Sequence, residues 1–199
     1  SDVCSSDLDA GVADKVKFLE QDLFKTDISG ATVITMYLLP ALNLRLRPKL
    51  LDMKPGTRIV SHMWDMGEWE PDEAMTVEDS QAFLWRVPAP VAGRWSLADD
   101  QGFFRFDVDL VQKFQRIGGT YTLRGATRPL LGAYLNGTTL GFTIVWVVLL
   151  LPTKESQPTT FAIAIVLGTL LGCRAQVLGL LLGARISLIA FQHDDIGCA

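Results

Sequence analysis

The sequence is poor in the residues that bind transition metals or form disulfides. Its 199 residues contain two histidines and three cysteines, Cys4, Cys173 and Cys198. These cysteines form no CxxC pair and show no Cys/His ligand spacing. Zinc sites and disulfide scaffolds need several such residues at characteristic spacings. We therefore predict neither a metal site nor a disulfide framework.

Positive charge is also scarce. The chain has 18 basic and 22 acidic residues and a formal net charge of −4. Proteins that bind nucleic acid usually present a basic field to the phosphates. We predict no nucleic-acid partner.

Charge of either sign almost disappears after position 139. Only six of the charged residues lie there, and residues 145–199 are predicted to be an apolar tail. The longest apolar run, Phe161–Phe191, is interrupted by Arg174 and Arg185. A central arginine costs about 2.5 to 3.5 kcal/mol on membrane-insertion scales. Three origins of the tail stay open: a shifted reading frame after Ile144, a membrane or amphipathic anchor within 161–191, or a soluble buried segment.

Residues 1–8 lack helical or strand periodicity and lack the apolar core of a signal peptide. They match the translation of a common short-read sequencing adapter. We expect them to be an artefact, with natural sequence and its motifs upstream of Asp9.

Residues 9–92 alternate between strand and helix patterns. Val16–Glu20, Ala31–Tyr37, Thr57–His62 and Ala82–Val87 are apolar, β-branched runs typical of strands, and the second is expected to be buried on both faces. A polar, acidic loop is expected before the last run. This order predicts an α/β domain with a mostly parallel sheet.

One apolar helical face lies between the second and third of these strands. Leu42, Leu46 and Leu50 recur at every fourth position. Pro48 is expected to divide this segment into two short helices, because proline lacks the amide hydrogen that continues a helix.

A second type of sequence begins after Pro88-Ala89-Pro90, which is predicted to be a linker that ends near Ala92. Phe104–Leu110 alternates with a period of two, and Gly118-Gly119 and Asn136-Gly137 are hairpin-turn signals. Residues 93–144 are therefore predicted to form a small antiparallel β module.

The α/β part resembles a known family. The resemblance lies in Gly11–Phe24, Ala31–Pro40, Asn43–Leu51, Lys54–His62 and Asp65–Asp72. Together these segments resemble the C-terminal half of class I S-adenosylmethionine-dependent methyltransferases, within a bacterial group related to the protein lysine methyltransferases that use this fold. The β module, with its run 111–119, also resembles the tail of that group. The resemblance implies a partial Rossmann-like sheet, followed by the β module and the apolar tail.

The resemblance implies a cofactor site at Asp22 and Leu23, which follow the first predicted strand. The Asp22 carboxylate is expected to accept a hydrogen bond from the adenine amino group of S-adenosylmethionine. Its alternative role is that of a loop carboxylate or a helix cap.

The resemblance also implies an acceptor side. Tyr37, Leu38, Leu39 and Pro40 are expected to line the methyl-transfer channel, or alternatively to pack in the core. Asn43 is expected to orient the substrate or close the pocket, or alternatively to cap a helix. In open α/β sheets, ligands bind at the carboxyl ends of the strands, where Asp22 and residues 37–40 and 62–65 are all expected to lie.

Two further groups have open alternatives. Trp64 and Trp69 either form a lip on the substrate side or pack against the sheet. The basic residues within 45–49 either contact an acidic partner or form a solvated helix face.

The sequence lacks the glycine-rich turn and the ribose-binding acidic residue of such enzymes. This chain alone is therefore expected to bind the cofactor weakly and to be inactive. The predicted function is methyl transfer, with a protein lysine as the implied acceptor, in the bacterial cytoplasm or envelope. The alternative is a non-enzymatic envelope or membrane-anchored protein whose β module recognises a partner.

Overall fold

The computed structural model describes residue 12 and residues 15–99, 105–144, 147–149, 160–162, 165–171, 174–181 and 184–192. The predicted adapter segment, residues 1–8, lies outside the described residues. The chain divides into two units, Ser1–Gly30 and Ala31–Ala199, and each is considered by itself.

The first unit contains no strand among its described residues, so the strand predicted at Val16–Glu20 is wrong. Its backbone there is irregular, and the side chains of Phe18 and Leu19 are 55% and 52% exposed. A strand of a parallel sheet needs neighbours that pair with its backbone and cover its apolar side chains. The apolar pattern indicated burial, but no neighbouring strand is found among the unit's described residues.

A four-stranded sheet opens the second unit, with the strand order β1-β2-β4-β3. Only the β1–β2 pair is parallel, so the α/β prediction is confirmed but the mostly parallel sheet is not. β3 lies where an acidic loop was predicted. All its side chains are exposed, so it has no apolar alternation to reveal it. The strands are β1 (Val33–Met36), β2 (Arg58–His62), β3 (Glu73–Val77) and β4 (Ser80–Arg86).

A single helix, α1 (Pro40–Leu51), connects β1 to β2. The predicted division at Pro48 is wrong, since the helix runs through it. Pro48 lies in the last turn, where a missing amide hydrogen costs about 3 kcal/mol. Leu46 and Leu50 are 1% and 0% exposed, and burying each contributes about 1.5 to 3 kcal/mol. Burial therefore offsets the cost of the proline.

A nine-stranded antiparallel sheet follows, with the order β8-β7-β6-β5-β15-β14-β13-β10-β9. β11 and β12 form a separate antiparallel pair. The strands within residues 93–144 pair antiparallel in this structure. The strands are β5 (Gly93–Asp99), β6 (Arg105–Lys113), β7 (Arg116–Leu123), β8 (Ala126–Pro129), β9 (Leu131–Asn136), β10 (Thr139–Thr143), β11 (Val147–Leu149), β12 (Thr160–Ala162), β13 (Ile165–Leu171), β14 (Arg174–Leu181) and β15 (Ala184–Gln192).

The predicted tail is not separate from the module in this structure. β13, β14 and β15 lie between β10 and β5 in the same sheet, so the boundary predicted near residue 144 falls inside it. No helix among the described residues is long and apolar enough to span a membrane. The shifted frame and the membrane association of 161–191 stay predictions.

One of the two predicted hairpin turns is confirmed. Asn136 pairs with Thr139 around a turn that begins at Gly137, whose φ is 56°. Gly118-Gly119 instead lies inside β7, where a side chain on Gly119 would collide with the backbone of Asp109 in β6. This glycine is needed for close strand approach and not for a turn.

The predicted linker is part of the core. Ala89 and Val91 are 8% and 0% exposed and pack with Phe106, Tyr121 and Phe142 of the nine-stranded sheet. The Ala89 amide also donates to the Gly137 carbonyl at 2.9 Å. The two prolines therefore mark an ordered connection between the sheets.

Candidate functional site at the carboxyl ends of β1 and β2

The carboxyl ends of the two parallel strands are neighbours, because Met36 pairs with Ser61. Tyr37 follows β1 directly, and His62 is the last residue of β2. Their ring centroids are 4.7 Å apart, with planes at 82° in an edge-to-face contact. The structure thus brings together the strand ends that were expected to meet.

The residues expected to line the channel are mostly exposed. Tyr37 is 74% exposed and Leu39 is 64% exposed. Pro40 is also exposed, and Leu38 is half-buried. Leu38 is therefore partly packed, whereas Tyr37, Leu39 and Pro40 present their side chains to solvent. Trp64, two residues after His62, is 41% exposed.

The helix begins without a side-chain cap. Leu39 is the capping residue, in an extended conformation, and its carbonyl accepts the amides of Leu42 and Asn43. Pro40 occupies the first helical position, where its fixed φ suits the helix and its missing amide costs nothing. Asn43 is therefore not the helix cap, which excludes one of its alternative roles.

Asn43 connects α1 to the segment after β2. Its side chain is fully buried, and its Nδ2 lies 3.2 Å from Ser61 Oγ and from the carbonyls of Trp64 and Asp65. Its Oδ1 finds no donor within the described part of the chain. A buried amide that faces three acceptors fixes them in place, because removing the donor would leave them unsatisfied.

Arg47 lies one helical turn after Asn43 and contacts the same segment after β2. Its Nη1 donates to the Met66 carbonyl at 2.8 Å. Asn43 and Arg47 together therefore hold three consecutive carbonyls, those of residues 64–66. Sequence reasoning missed this role, although the i,i+4 spacing of a polar and a basic residue on the apolar helix was its signal.

Residues 64–70 follow β2 and include the three carbonyls held by Asn43 and Arg47. We call them the acceptor loop. Gly67 has a φ of 63°, and its amide donates to Asp65 Oδ1 at 3.0 Å. Trp69 is fully buried, and its carbonyl accepts Trp85 Nε1 at 2.8 Å. Of the two tryptophans with open roles, Trp69 packs and Trp64 is exposed.

Asp72 fastens the chain beyond the loop onto β4. Its Oδ2 accepts the Arg86 amide at 2.6 Å, and its own amide donates to the Leu84 carbonyl at 2.8 Å. Burial raises the pKa of this carboxyl, while the Arg86 amide and the Arg86 charge act in the opposite direction.

Asp22 and Leu23 belong to the first unit. Asp22 Oδ1 accepts the Phe24 amide at 2.9 Å, and Oδ2 lies 4.0 Å from Lys25 Nζ. Asp22 therefore acts as a loop carboxylate, one of its two expected roles. Its side chain is 47% exposed, so Oδ2 keeps capacity for another donor. This fits an adenine amino group, which would donate to it.

No group of three or more His, Cys, Asp or Glu side chains in a metal-binding arrangement occurs within the described part of the chain.

The first part of the chain is similar to known methyltransferases. Residues 3–73 match the model of the ANTKMT methyltransferase domain. A protein-lysine N-methyltransferase from Saccharolobus islandicus (strain REY15A) is 46% identical over 70 residues, which are 35% of this chain and 44% of that protein. Residues 3–73, the methyltransferase segment, are thus similar to class I S-adenosylmethionine-dependent methyltransferases.

The methyltransferase segment is also similar to a solved structure, an RNA methyltransferase from Salinibacter ruber in complex with S-adenosyl-L-homocysteine. The sequence identity is 46%, the match covers 44% of this chain and 57% of that chain, and the TM-score is 0.42. The chain spans less than half the length of the Saccharolobus relative. These similarities do not favour the alternative of a non-enzymatic binding protein.

We predict that Asn43→Ala destabilises the second unit by about 2 to 4 kcal/mol, because three acceptors lose their shared donor. Asn43→Asp is expected to destabilise it more, since a carboxylate would face those acceptors. Chemical denaturation followed by tryptophan fluorescence measures both, with the exposed Lys54→Ala as the control. Equal stability of all four proteins would show that this amide does not hold the loop.

Proposed function

We propose that the protein transfers a methyl group from S-adenosylmethionine to a lysine side chain of another protein. The observation that carries the proposal is the exposed aromatic edge formed by Tyr37 and His62, with Trp64 two residues further on. It lies at the carboxyl ends of two parallel strands, where ligands bind in open α/β sheets. The similarity to a protein-lysine N-methyltransferase supports the choice of acceptor.

The fold proposal follows from the same elements. We take the four-stranded sheet and α1 as the carboxyl-side part of a Rossmann-like methyltransferase sheet. The parallel β1–β2 pair with its connecting helix supports this assignment.

The cofactor, when bound, supplies a methyl group on a positively charged sulfur. Asp22 would hold its adenine amino group, beside Leu23. The aromatic edge would receive the lysine, because ring faces attract an ammonium group and pack against its alkyl stem. The methyl group would pass to a lysine Nζ that has given its proton to solvent, and S-adenosylhomocysteine would be the other product. The chain's contribution is to place donor and acceptor in line.

The proposal is tested with the full-length gene product and cofactor labelled in the methyl group. Incubated with cell protein and, separately, with cell RNA, the enzyme is expected to label protein, and hydrolysis should release N-methylated lysine. Tyr37→Ala should raise the KM for the protein acceptor about tenfold through loss of ring contacts, and Tyr37→Phe should retain most of the activity. Label in RNA alone, or in neither fraction, would contradict a protein lysine acceptor.

Two substitutions of Asp22 test the cofactor part of the proposal. Asp22→Asn keeps an oxygen for the Phe24 amide but presents an amide donor to the adenine amino group, whereas Asp22→Ala loses both contacts. Each is expected to weaken cofactor binding by about ten- to a hundredfold in isothermal titration, because a hydrogen bond to a charged group is lost. The exposed Glu20→Ala is the matched control. Unchanged affinity in both Asp22 variants would remove Asp22 from the site.

A further inference from the structure

The turn between β6 and β7 contains an unexpected residue. Lys113 pairs with Arg116, so Phe114 and Gln115 form a two-residue turn, and Phe114 has a φ of 55°. This left-handed region suits glycine or asparagine, and a bulky side chain there is strained. Such strain persists only where the surroundings enforce it. The phenylalanine ring must therefore have a favourable environment.

That environment is the acceptor loop and the helix behind it. The Phe114 ring stacks on Trp69, with centroids 6.2 Å apart and planes at 22°. The guanidinium carbon of Arg47 lies over the Phe114 ring, 5.7 Å from the ring centroid. Arg47 also donates to the Met66 carbonyl, so one side chain contacts both the turn and the loop. The ring contacts offset the cost of the strained backbone.

Polar contacts join the same two segments. Gln115 Nε2 donates to the Glu70 carbonyl at 2.6 Å, and Arg116 forms an ion pair with the Glu70 carboxylate. Lys113 Nζ lies 3.3 Å from a carboxylate oxygen of Glu68. These ion pairs are exposed and contribute little stability. The bond to the backbone carbonyl, together with the stack, fixes the position of the loop more specifically.

The stem of the hairpin is also anchored. Gln112 Nε2 donates to the carbonyls of Ala89 and Phe114, at 2.9 and 2.8 Å, and Gln112 Oε1 accepts the Val91 amide at 2.8 Å. The turn is therefore tied to the ordered connection between the two sheets.

We propose that the hairpin turn 113–116 of the β module is a clamp on the acceptor loop, and that it sets the affinity of the enzyme for its methyl acceptor. α1 holds the start of the loop through residues 64–66, and the hairpin holds its end through Trp69 and Glu70. Trp64, at the exposed start of the loop, then keeps a fixed place beside the strand ends. Phe114 is a positioning residue. Its effect on binding of the methyl acceptor rests on the proposed function.

The test combines hydrogen exchange and steady-state kinetics on the full-length gene product. Phe114→Asn relieves the backbone strain and removes the ring, whereas Phe114→Tyr keeps the ring. Arg128→Ala, an exposed substitution in β8 of the same module, is the matched control. Amide exchange in residues 64–70 is expected to become about tenfold faster in Phe114→Asn, with β6 and β7 unchanged and Phe114→Tyr close to the wild type. The KM for the protein acceptor should rise by a similar factor, with cofactor affinity unchanged.

Loop exchange in Phe114→Asn equal to that of the wild type would overturn the clamp. Faster exchange with an unchanged acceptor KM would overturn its role in acceptor binding. If Phe114→Asn loses protection throughout the sheet, Phe114→Leu, which keeps apolar volume without a ring, decides by the same two readouts. A wild-type protein that transfers no methyl group would refute the proposed function and with it the acceptor role, while loop exchange would still decide the clamp.

Discussion

The site depends on one helix face that donates hydrogen bonds to three consecutive carbonyls. Asn43 and Arg47 contact the backbone of residues 64–66 as the chain leaves β2. Carbonyls in a segment without regular structure otherwise need water or other partners. Because these donors are supplied from α1, the loop has one fixed path. The position of Trp64 relative to Tyr37 follows from that path.

The second support of the loop comes from a different sheet. Phe114 adopts a strained conformation that brings its ring onto Trp69 and beneath Arg47. The β module is thereby joined to the methyltransferase segment by packing and not only by the chain. The burial of Ala89 and Val91 in the connection at 88–92 agrees with this, since a flexible linker would let the two contacts separate. A catalytic constellation keeps its geometry only when its supporting contacts are themselves packed.

Sequence patterns predicted those parts of the fold in which side-chain periodicity matches burial. Ile59 and Ser61 alternate with less buried neighbours in β2, and Leu46 and Leu50 mark the core face of α1. β3 was not predicted because an exposed edge strand carries no apolar alternation. The continuous helix through Pro48 was not predicted because the free energy gained by burying the leucines depends on tertiary packing. The Gly118-Gly119 pair was misinterpreted since close approach of two strands and a turn both favour glycine.

The candidate site was predicted less completely. The meeting of Tyr37 and His62 followed from strand direction alone, whereas the roles of Arg47 and Phe114 required contacts between residues distant in sequence. The most direct test is the crystal structure of the full-length gene product with S-adenosylhomocysteine. The account predicts that the cofactor sulfur lies at the edge formed by Tyr37 and His62. A cofactor bound elsewhere, with this aromatic edge facing only solvent, would contradict it.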